Sequence, residues 1–189
     1  MTITELAQVH PSATVEADAV VGPRTRVWHG CHVRAGSRIG SDCSLGFAVY
    51  VDTGVVIGDR CKVQNHVSLY HGVVLEDEVF VGPSAVFTND LTPRAQSPDW
   101  EVSPTLVRRG ASIGANATVV CGVEIGAWAM IGAGAVVTAD VPANALVLGV
   151  PGRVRGQVCT CGHVLAHDHA APPEHCSRCG RPSTIDLRS

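Results

Sequence analysis

Residues 45–63 read Leu45-Gly-Phe-Ala-Val49-Tyr-Val51-Asp-Thr-Gly-Val55-Val-Ile57-Gly-Asp-Arg-Cys61-Lys-Val63. Leu45, Val51, Ile57 and Val63 stand six apart, and Val49, Val55 and Cys61 follow the first three at a distance of four. Neither the 3.6-residue period of a helix nor the alternation of a strand produces this pattern. Outward from it, the same spacing runs back through Ile39, Val33, Val27, Val21 and Val15 to Val9, and forward through Leu69, Leu75 and Val81 to Phe87. It breaks over residues 88–106 and resumes, shifted by two, at Val107, Ile113, Val119, Ile125, Ile131 and Val137. The partner four residues on stays small or β-branched, from Ala13, Ala19, Thr25 and Cys31 to Ala111, Ala117, Ala129 and Ala135.

A hexapeptide period predicts a parallel β-helix. Each unit is a short strand and a turn, and three units close one triangular coil. The aliphatic points into the tube, and the small residue fills the corner beside it. Glycines directly after the aliphatic (Gly22, Gly40, Gly46, Gly58, Gly82, Gly114, Gly126, Gly132) are expected to supply relaxed turn conformations. Nearly seven coils result, stacked about 4.8 Å apart. The composition agrees: 30 valines and 20 glycines, with only 8 aromatic residues, suit a narrow lumen. A net charge of -3 gives no reason to expect a nucleic-acid partner. No apolar run long enough for a membrane span is present, and the N-terminus does not read as a signal peptide. The expected compartment is the cytoplasm. Eight cysteines there point to metal ligands or buried thiols rather than disulfides.

Four local stretches sharpen the reading: Val27-Trp-His-Gly-Cys-His-Val33, Lys62-Val-Gln-Asn-His-Val-Ser-Leu-Tyr-His-Gly-Val73, Gly82-Pro-Ser-Ala-Val-Phe-Thr-Asn-Asp-Leu-Thr-Pro-Arg94 and Gly110-Ala-Ser-Ile-Gly-Ala-Asn-Ala-Thr-Val-Val-Cys-Gly122. From about residue 9 to 156 the chain resembles the left-handed β-helix hexapeptide N-acetyltransferases of nucleotide-linked 3-amino sugars. One branch acts on UDP-linked 3-amino-glucuronic acid derivatives, another on dTDP-linked 3-amino-dideoxyhexoses. The resemblance implies the left hand, a homotrimer with active sites in the clefts between prisms, and a loop (88–106) reaching an adjacent subunit. Pro93, Pro98, Pro104 and Trp100 suit a semi-rigid arm.

The same resemblance implies the site. Asn89, stacked one coil after His71, would contact the sugar amine or acetyl group. His71 stands where the family usually has an acidic residue, and His66 where it usually has Asn. His71 is read either as a base or as a binding residue. Gln64, Asn65, His66 and Tyr70 lie on the strip that contacts sugar and nucleotide; His29 and His32 match family positions too. Arg94 would hold a carboxylate or phosphate in a bidentate fork, or make an exposed salt bridge. The strings Ile131-Gly-Ala-Gly-Ala-Val-Val-Thr138 and Gly149-Val-Pro-Gly-Arg153 are similar to the acetyl-CoA-binding end of these enzymes. Ala115 and Ala133 would flank the pantetheine, Thr138 would touch it, and Arg153 would sit near the adenine 3′-phosphate.

The period ends near residue 156, dividing the chain into an acyltransferase domain (1–156) and a Cys-rich tail (157–189). Cys159, Cys161, Cys176 and Cys179 read as two knuckles of a small structural zinc site, with an unstructured tail as the alternative. The first pair is C-x-C rather than C-x2-C, so His163 or His175 could substitute among the four tail histidines (His163, His167, His169, His175). Cys31, Cys43 and Cys61 read as lumen fillers, and Cys121 has no base beside it. Two other functions are compatible with the fold. A γ-class carbonic anhydrase takes three zinc-bound histidines; His66 and His71 have the right spacing, but residue 30 is glycine. A non-enzymatic scaffold is the second.

Overall fold

A computed structural model describes residues 2–3, 6–97, 100–168 and 170–183; Pro98 of the loop and His169 of the tail lie outside them. Among the described residues there is no helix, and the chain winds as a parallel β-solenoid with three faces. The first face stacks Thr2–Ile3, Val20–Val21, Arg38–Ile39, Val56–Ile57, Val73–Leu75, Thr105–Val107 and Glu124–Ile125. The second stacks Gln8–Val9, Arg26–Val27, Ser44–Leu45, Lys62–Val63, Phe80–Val81, Ser112–Ile113, Met130–Ile131 and Ala145–Leu148. The third stacks Thr14–Val15, His32–Val33, Tyr50–Val51, Ser68–Leu69, Val86–Phe87, Thr118–Val119 and Val136–Val137. Strands of two residues do not persist alone. They persist here because each is hydrogen-bonded into a stack of coils.

The lumen is built as the period predicts. Val21 to Phe87 and Val107 to Val137 at the aliphatic positions are at most 2% exposed. Burying each contributes roughly 1.5–3 kcal/mol, repeated every six residues. Three polar corner residues donate to a carbonyl of the following coil: Thr25 Oγ1 to Gly40 O (2.7 Å), Cys31 Sγ to Gly46 O (2.9 Å) and Cys61 Sγ to Glu76 O (3.0 Å). Phe87 is the one aromatic in this core, 1% exposed.

Two expectations change. The solenoid extends beyond nearly seven turns at both ends, because the first face starts with Thr2–Ile3 and the second carries an eighth parallel strand, Ala145–Leu148. That coil is shortened: Ile131 pairs with Val147, two residues short of a full coil, so the hexapeptide period no longer signals it. The role of the glycines also differs. The left-handed backbone lies three residues after the aliphatic, where Arg24, Asp42, Arg60 and Glu78 have φ of 56–62°. The glycines directly after the aliphatic serve close approach instead: a Cβ on Gly40 would lie 2.7 Å from Gly58 C, and one on Gly58 2.7 Å from Asp77 N. Coils at strand spacing leave no room for a side chain pointing along the axis.

The loop is an insertion into one coil. Ile57 pairs with Leu75, the ordinary step of three hexapeptides. Across the loop, Leu75 pairs with Val107, Val81 with Ile113 and Phe87 with Val119. Each of these steps is longer by two hexapeptides and two residues, which is the register shift seen in the sequence. After Leu148 the chain reverses. Arg153–Val158 pairs antiparallel with Ala145–Leu148, and Val164–His167 with Arg153–Val158, so the hairpin extends the second face into the Cys-rich region.

Candidate active site

The expected site residues fall on two different corners of the prism, with the whole third face between them. Tyr70, His71, Asn89 and Thr138 follow third-face strands; Gln64, Asn65, His66, Ala115 and Ala133 follow second-face strands.

At the corner after the third face, charged side chains stack coil on coil. His32 Nε2 meets Glu16 Oε1 at 2.7 Å, Arg34 lies 3.5 Å from Glu16, and Arg34 is 3.3 Å from Asp52. Asp52 Oδ1 accepts from the Thr53 N–H (2.8 Å) and the Tyr50 hydroxyl (3.1 Å), and its Oδ2 from the His71 N–H (3.3 Å). Burial pushes the Asp52 carboxyl up, but these donors and Arg34 outweigh it and hold it below its ordinary value. His71 Nδ1 lies 2.6 Å from Thr53 O. A carbonyl only accepts, so in neutral His71 the proton sits on Nδ1 and Nε2 carries the lone pair. His32 is thereby placed in an ion-pair ladder, and Tyr70 in a ring ladder in which Tyr50 lies 5.9 Å from Tyr70 and 5.8 Å from His32.

The loop leaves and returns beside His71. Asn89 O accepts from Ser103 N (3.0 Å) and Gly72 O from Thr105 N (3.0 Å). Gly72 has φ of 93°, and a Cβ there would lie 2.5 Å from Val102 Cγ1, so only glycine lets the returning loop pack at this corner. Asn89 is half-buried, and among the described residues its side-chain amide has no hydrogen-bond partner. Arg94 is exposed on the loop; its guanidinium donates to Pro93 O (2.8 Å) and makes no ion pair among the described residues.

Asp52→Ala tests this support. It leaves the Thr53 and His71 N–H groups without their acceptor and should cost about 1–3 kcal/mol in denaturant unfolding. Because the folded carboxyl is held below its ordinary value of 3.8, the difference from the parent chain should be full at pH 7. It should then shrink as the pH falls below that value.

At the corner after the second face, four rings form a ladder: His10–His29 (5.4 Å), His29–Phe47 (4.7 Å) and Phe47–His66 (5.0 Å). His66 has φ of 59° and Asn65 Oδ1 accepts from Phe47 N (2.8 Å). Further along, the residues directly after the aliphatics are Gln64, Gly82, Gly114, Gly132 and Leu148, in the register of Val63, Val81, Ile113, Ile131 and Val147. Gly82, Gly114 and Gly132 carry no side chain, and Leu148 leans back over Gly132, so the bare stretch covers about three coil spacings, about 14 Å. Ala115 and Ala133 border it, joined where Ala115 O accepts from Gly134 N (2.9 Å). The column ends at a cleft of about 670 Å³ lined by Leu148, Gly149, Val150, Pro151, Arg153, Arg155, His167 and Asp168. Arg155 and His167 were not foreseen. They come from the antiparallel hairpin, which the lapse of the period conceals.

In the tail, the Sγ atoms of Cys159, Cys161, Cys176 and Cys179 all lie within 4.8 Å of one another, with Cys159–Cys179 at 3.5 Å and Cys161–Cys176 at 3.7 Å. A tetrahedral thiolate site with bonds of about 2.3 Å places its sulfurs about 3.8 Å apart, so the donor set fits a zinc ion. Each pair is closed by a glycine N–H: Gly162 donates to Cys159 O and Gly180 to Cys176 O, both 2.8 Å. Burial raises the Cys159 thiol, but the Cys161 N–H and the neighbouring thiols bring it down to about 7. The Arg181 N–H favours the Cys179 thiolate, yet burial and the same neighbours push it up to about 11. Thiols this close do not all ionise without a cation. Of the two histidines named as substitutes, His163 Nε2 lies 3.1 Å from Ser177 Oγ, and the His175 backbone bridges to Pro182.

Comparison with known proteins agrees with this architecture. The bacterial transferase hexapeptide family (six repeats) matches residues 54–89 and 104–139, and the hexapeptide repeat of succinyl-transferase matches 36–71. The dTDP-3-amino-3,6-dideoxy-alpha-D-galactopyranose 3-N-acetyltransferase of Aneurinibacillus thermoaerophilus is 42% identical over 158 residues, covering 84% of this chain and 82% of that protein. A serine acetyltransferase of Mycobacterium tuberculosis is 37% identical over 135 residues, 70% of this chain but 48% of its own length. Among solved structures, PerB from Caulobacter crescentus in complex with CoA and GDP-perosamine superposes with a TM-score of 0.50 at 27% identity, over 80% of this chain and 57% of PerB.

Proposed function

Because the chain belongs to the hexapeptide-repeat acetyltransferases, we propose that it transfers the acetyl group of acetyl-CoA to the amino group of a nucleotide-linked 3-amino sugar. The observation that carries this reading is the column bare of side chains at Gly82, Gly114 and Gly132, bordered by Ala115 and Ala133 and ending at Arg153. It suits a slender pantetheine arm with its phosphates at the basic end. The 42% identity to an N-acetyltransferase named for a dTDP-linked amino sugar supports the acceptor class.

The amine nitrogen attacks the thioester carbonyl, a C–N bond forms, the C–S bond breaks, and CoA leaves as the thiol. His71 Nε2 takes the proton the amine gives up and passes it to the departing sulfur, the Thr53 carbonyl keeping the ring in the tautomer this needs. Asn89, one coil further on, orients the amine or the acetyl oxygen. Gln64, Asn65, His66 and Tyr70 contact the sugar and nucleotide, Arg94 binds an anionic group of the substrate, and Thr138 lies along the coenzyme.

These residues occupy two corners of one prism, so a complete cleft takes one corner from each of two chains. A homotrimer supplies this three times, with the 88–106 loop reaching the neighbour. The outward row Val56, Val74 and Leu106 on the first face offers apolar surface for that contact. The four tail cysteines hold a structural zinc, and reduced thiols suit the cytoplasm. No helix of the described residues is long and apolar enough to cross a membrane. His66 and His71, spaced as in the anhydrase, lie on different corners.

The test is acetyl transfer from acetyl-CoA to UDP- and dTDP-linked 3-amino sugars, followed by release of free thiol. Asn89→Ala should lower turnover at least tenfold with coenzyme affinity nearly unchanged. Turnover near that of the parent chain would remove Asn89 from the reaction, and absence of transfer to every such sugar would sink the reading.

A further inference from the structure

The Cys-rich tail and the end cleft are built on the same two strands. Arg153–Val158 and Val164–His167 form an antiparallel hairpin, and residues 159–163 are its turn. The turn carries Cys159 and Cys161 and is closed by its own backbone, Cys159 N donating to His163 O (2.8 Å). At the open end of the hairpin, Asp168 N donates to Arg155 O (2.7 Å). Arg153, Arg155, His167 and Asp168 wall the cleft of about 670 Å³ there. The strand from Val164 to His167, about 10 Å long, joins the two ends.

The two strands are held differently. Arg153–Val158 pairs with the last parallel strand, Ala145–Leu148. Asn144 also grips Val158 twice: its O accepts from Val158 N (2.8 Å) and its Nδ2 donates to Val158 O (3.0 Å). Val164–His167 is the outermost strand of its sheet, with a ladder to Arg153–Val158 alone and a register shift within it. A short edge strand is marginal on one ladder. The cysteines flank it: Cys161 precedes the strand, Cys176 follows it, and their sulfurs lie 3.7 Å apart. A metal held by the four thiolates closes residues 161–176 into a loop with the edge strand inside, which removes frayed alternatives.

The open end carries positive charge without a close partner. Arg24, Arg60, Arg108 and Arg109 meet carboxylates at 2.6–3.1 Å. Arg155 lies 3.9 Å from Asp168, both exposed, a separation at which water competes. Arg153 donates to Gly152 O (2.8 Å) and makes no ion pair among the described residues. Two guanidiniums on one strand, with His167 on the strand beside them, suit a phosphate group.

We infer that the tail metal and the coenzyme are coupled through this hairpin. Zinc orders the strand that brings His167 to the cleft beside Arg155, and coenzyme phosphate bound there holds the same strand in return. The inference rests on the acetyl-CoA reading above. Two states suffice, a hairpin with the edge strand paired and one with it frayed. Both ligands favour the first, because each touches groups that only pairing brings together. Reciprocity then sets the size: the factor by which zinc tightens coenzyme binding is the factor by which coenzyme tightens zinc.

The test measures binding rather than turnover. Coenzyme A is titrated by calorimetry into the zinc-loaded full chain, into Cys176→Ser, and into zinc-loaded Arg155→Ala and His167→Ala. Zinc affinity is measured by competition with a chromophoric chelator, with and without saturating coenzyme A. Loss of zinc should weaken coenzyme binding about tenfold, and coenzyme should tighten zinc by the same factor. Arg155 and His167 are exposed, so their variants decide the matter if Cys176→Ser disturbs more than the tail. Each should keep one zinc per chain and lose most of the coenzyme's effect on it. Equal coenzyme affinity with and without zinc, in a chain that binds coenzyme, overturns the coupling and leaves the acetyltransferase reading intact. No coenzyme binding by the zinc-loaded parent sinks that reading and the coupling with it.

Discussion

His71→Ala should lower turnover by about 10²–10⁴-fold at neutral pH, the range by which a positioned base accelerates a proton transfer. KM for acetyl-CoA should change little, because the His71 ring is assigned to the amine and not to the coenzyme. The reasoning starts from one hydrogen bond. The 2.6 Å contact from His71 Nδ1 to Thr53 O leaves Nε2 as the basic nitrogen, and Asp52 fixes the backbone of both residues. His71→Gln should keep part of the polar contact without restoring rate, since an amide is not a base at neutral pH. If His71 only binds, either variant would raise KM for the sugar and leave saturated turnover within a few-fold. That outcome would assign proton removal to the departing thiolate instead.

The second large effect concerns the tail. One zinc ion per chain should be measured in the purified protein, and Cys176→Ser should lose it. The tail is too short to bury a core of its own, so its order depends on the four sulfurs being held together. Trypsin should then cleave after Arg178 at least tenfold faster in Cys176→Ser or in chelated protein. Readdition of zinc should protect the chelated parent and not the variant. The prism should keep its melting transition, because its core has no atom in the tail beyond the hairpin. Equal cleavage with and without metal would reduce the cluster to four neighbouring thiols.

The repeat was legible without coordinates because it depends on local volume alone. A lumen of one shape accepts Val, Ile or Leu at one position and Ala, Cys, Thr, Ser or Val at the other. The tail cysteines were legible for a similar reason, their pairing with glycine. The division of the site was not. Gln64 and Tyr70 are six residues apart and read as one strip, yet a corner turns between them. Ala115 could be matched to the corner of Gln64 only once the loop was known to lengthen its coil by two whole units as well. The period alone shows that offset only as a shift of two. Glycine spacing was visible but its cause was not, since coil-to-coil clearance is a distance between segments a full coil apart in the chain.

The order of residues along the chain thus dictates the solenoid, its core, the place of the loop and the nature of the tail, all of which follow from side-chain size and chemistry repeated at short range. Contacts between coils settle which corner each polar residue occupies, the tautomer of His71, the eighth strand and the hairpin that brings Arg155 and His167 to the end cleft. Those depend on register after an insertion and on hydrogen bonds across a coil, quantities that a six-residue period does not carry.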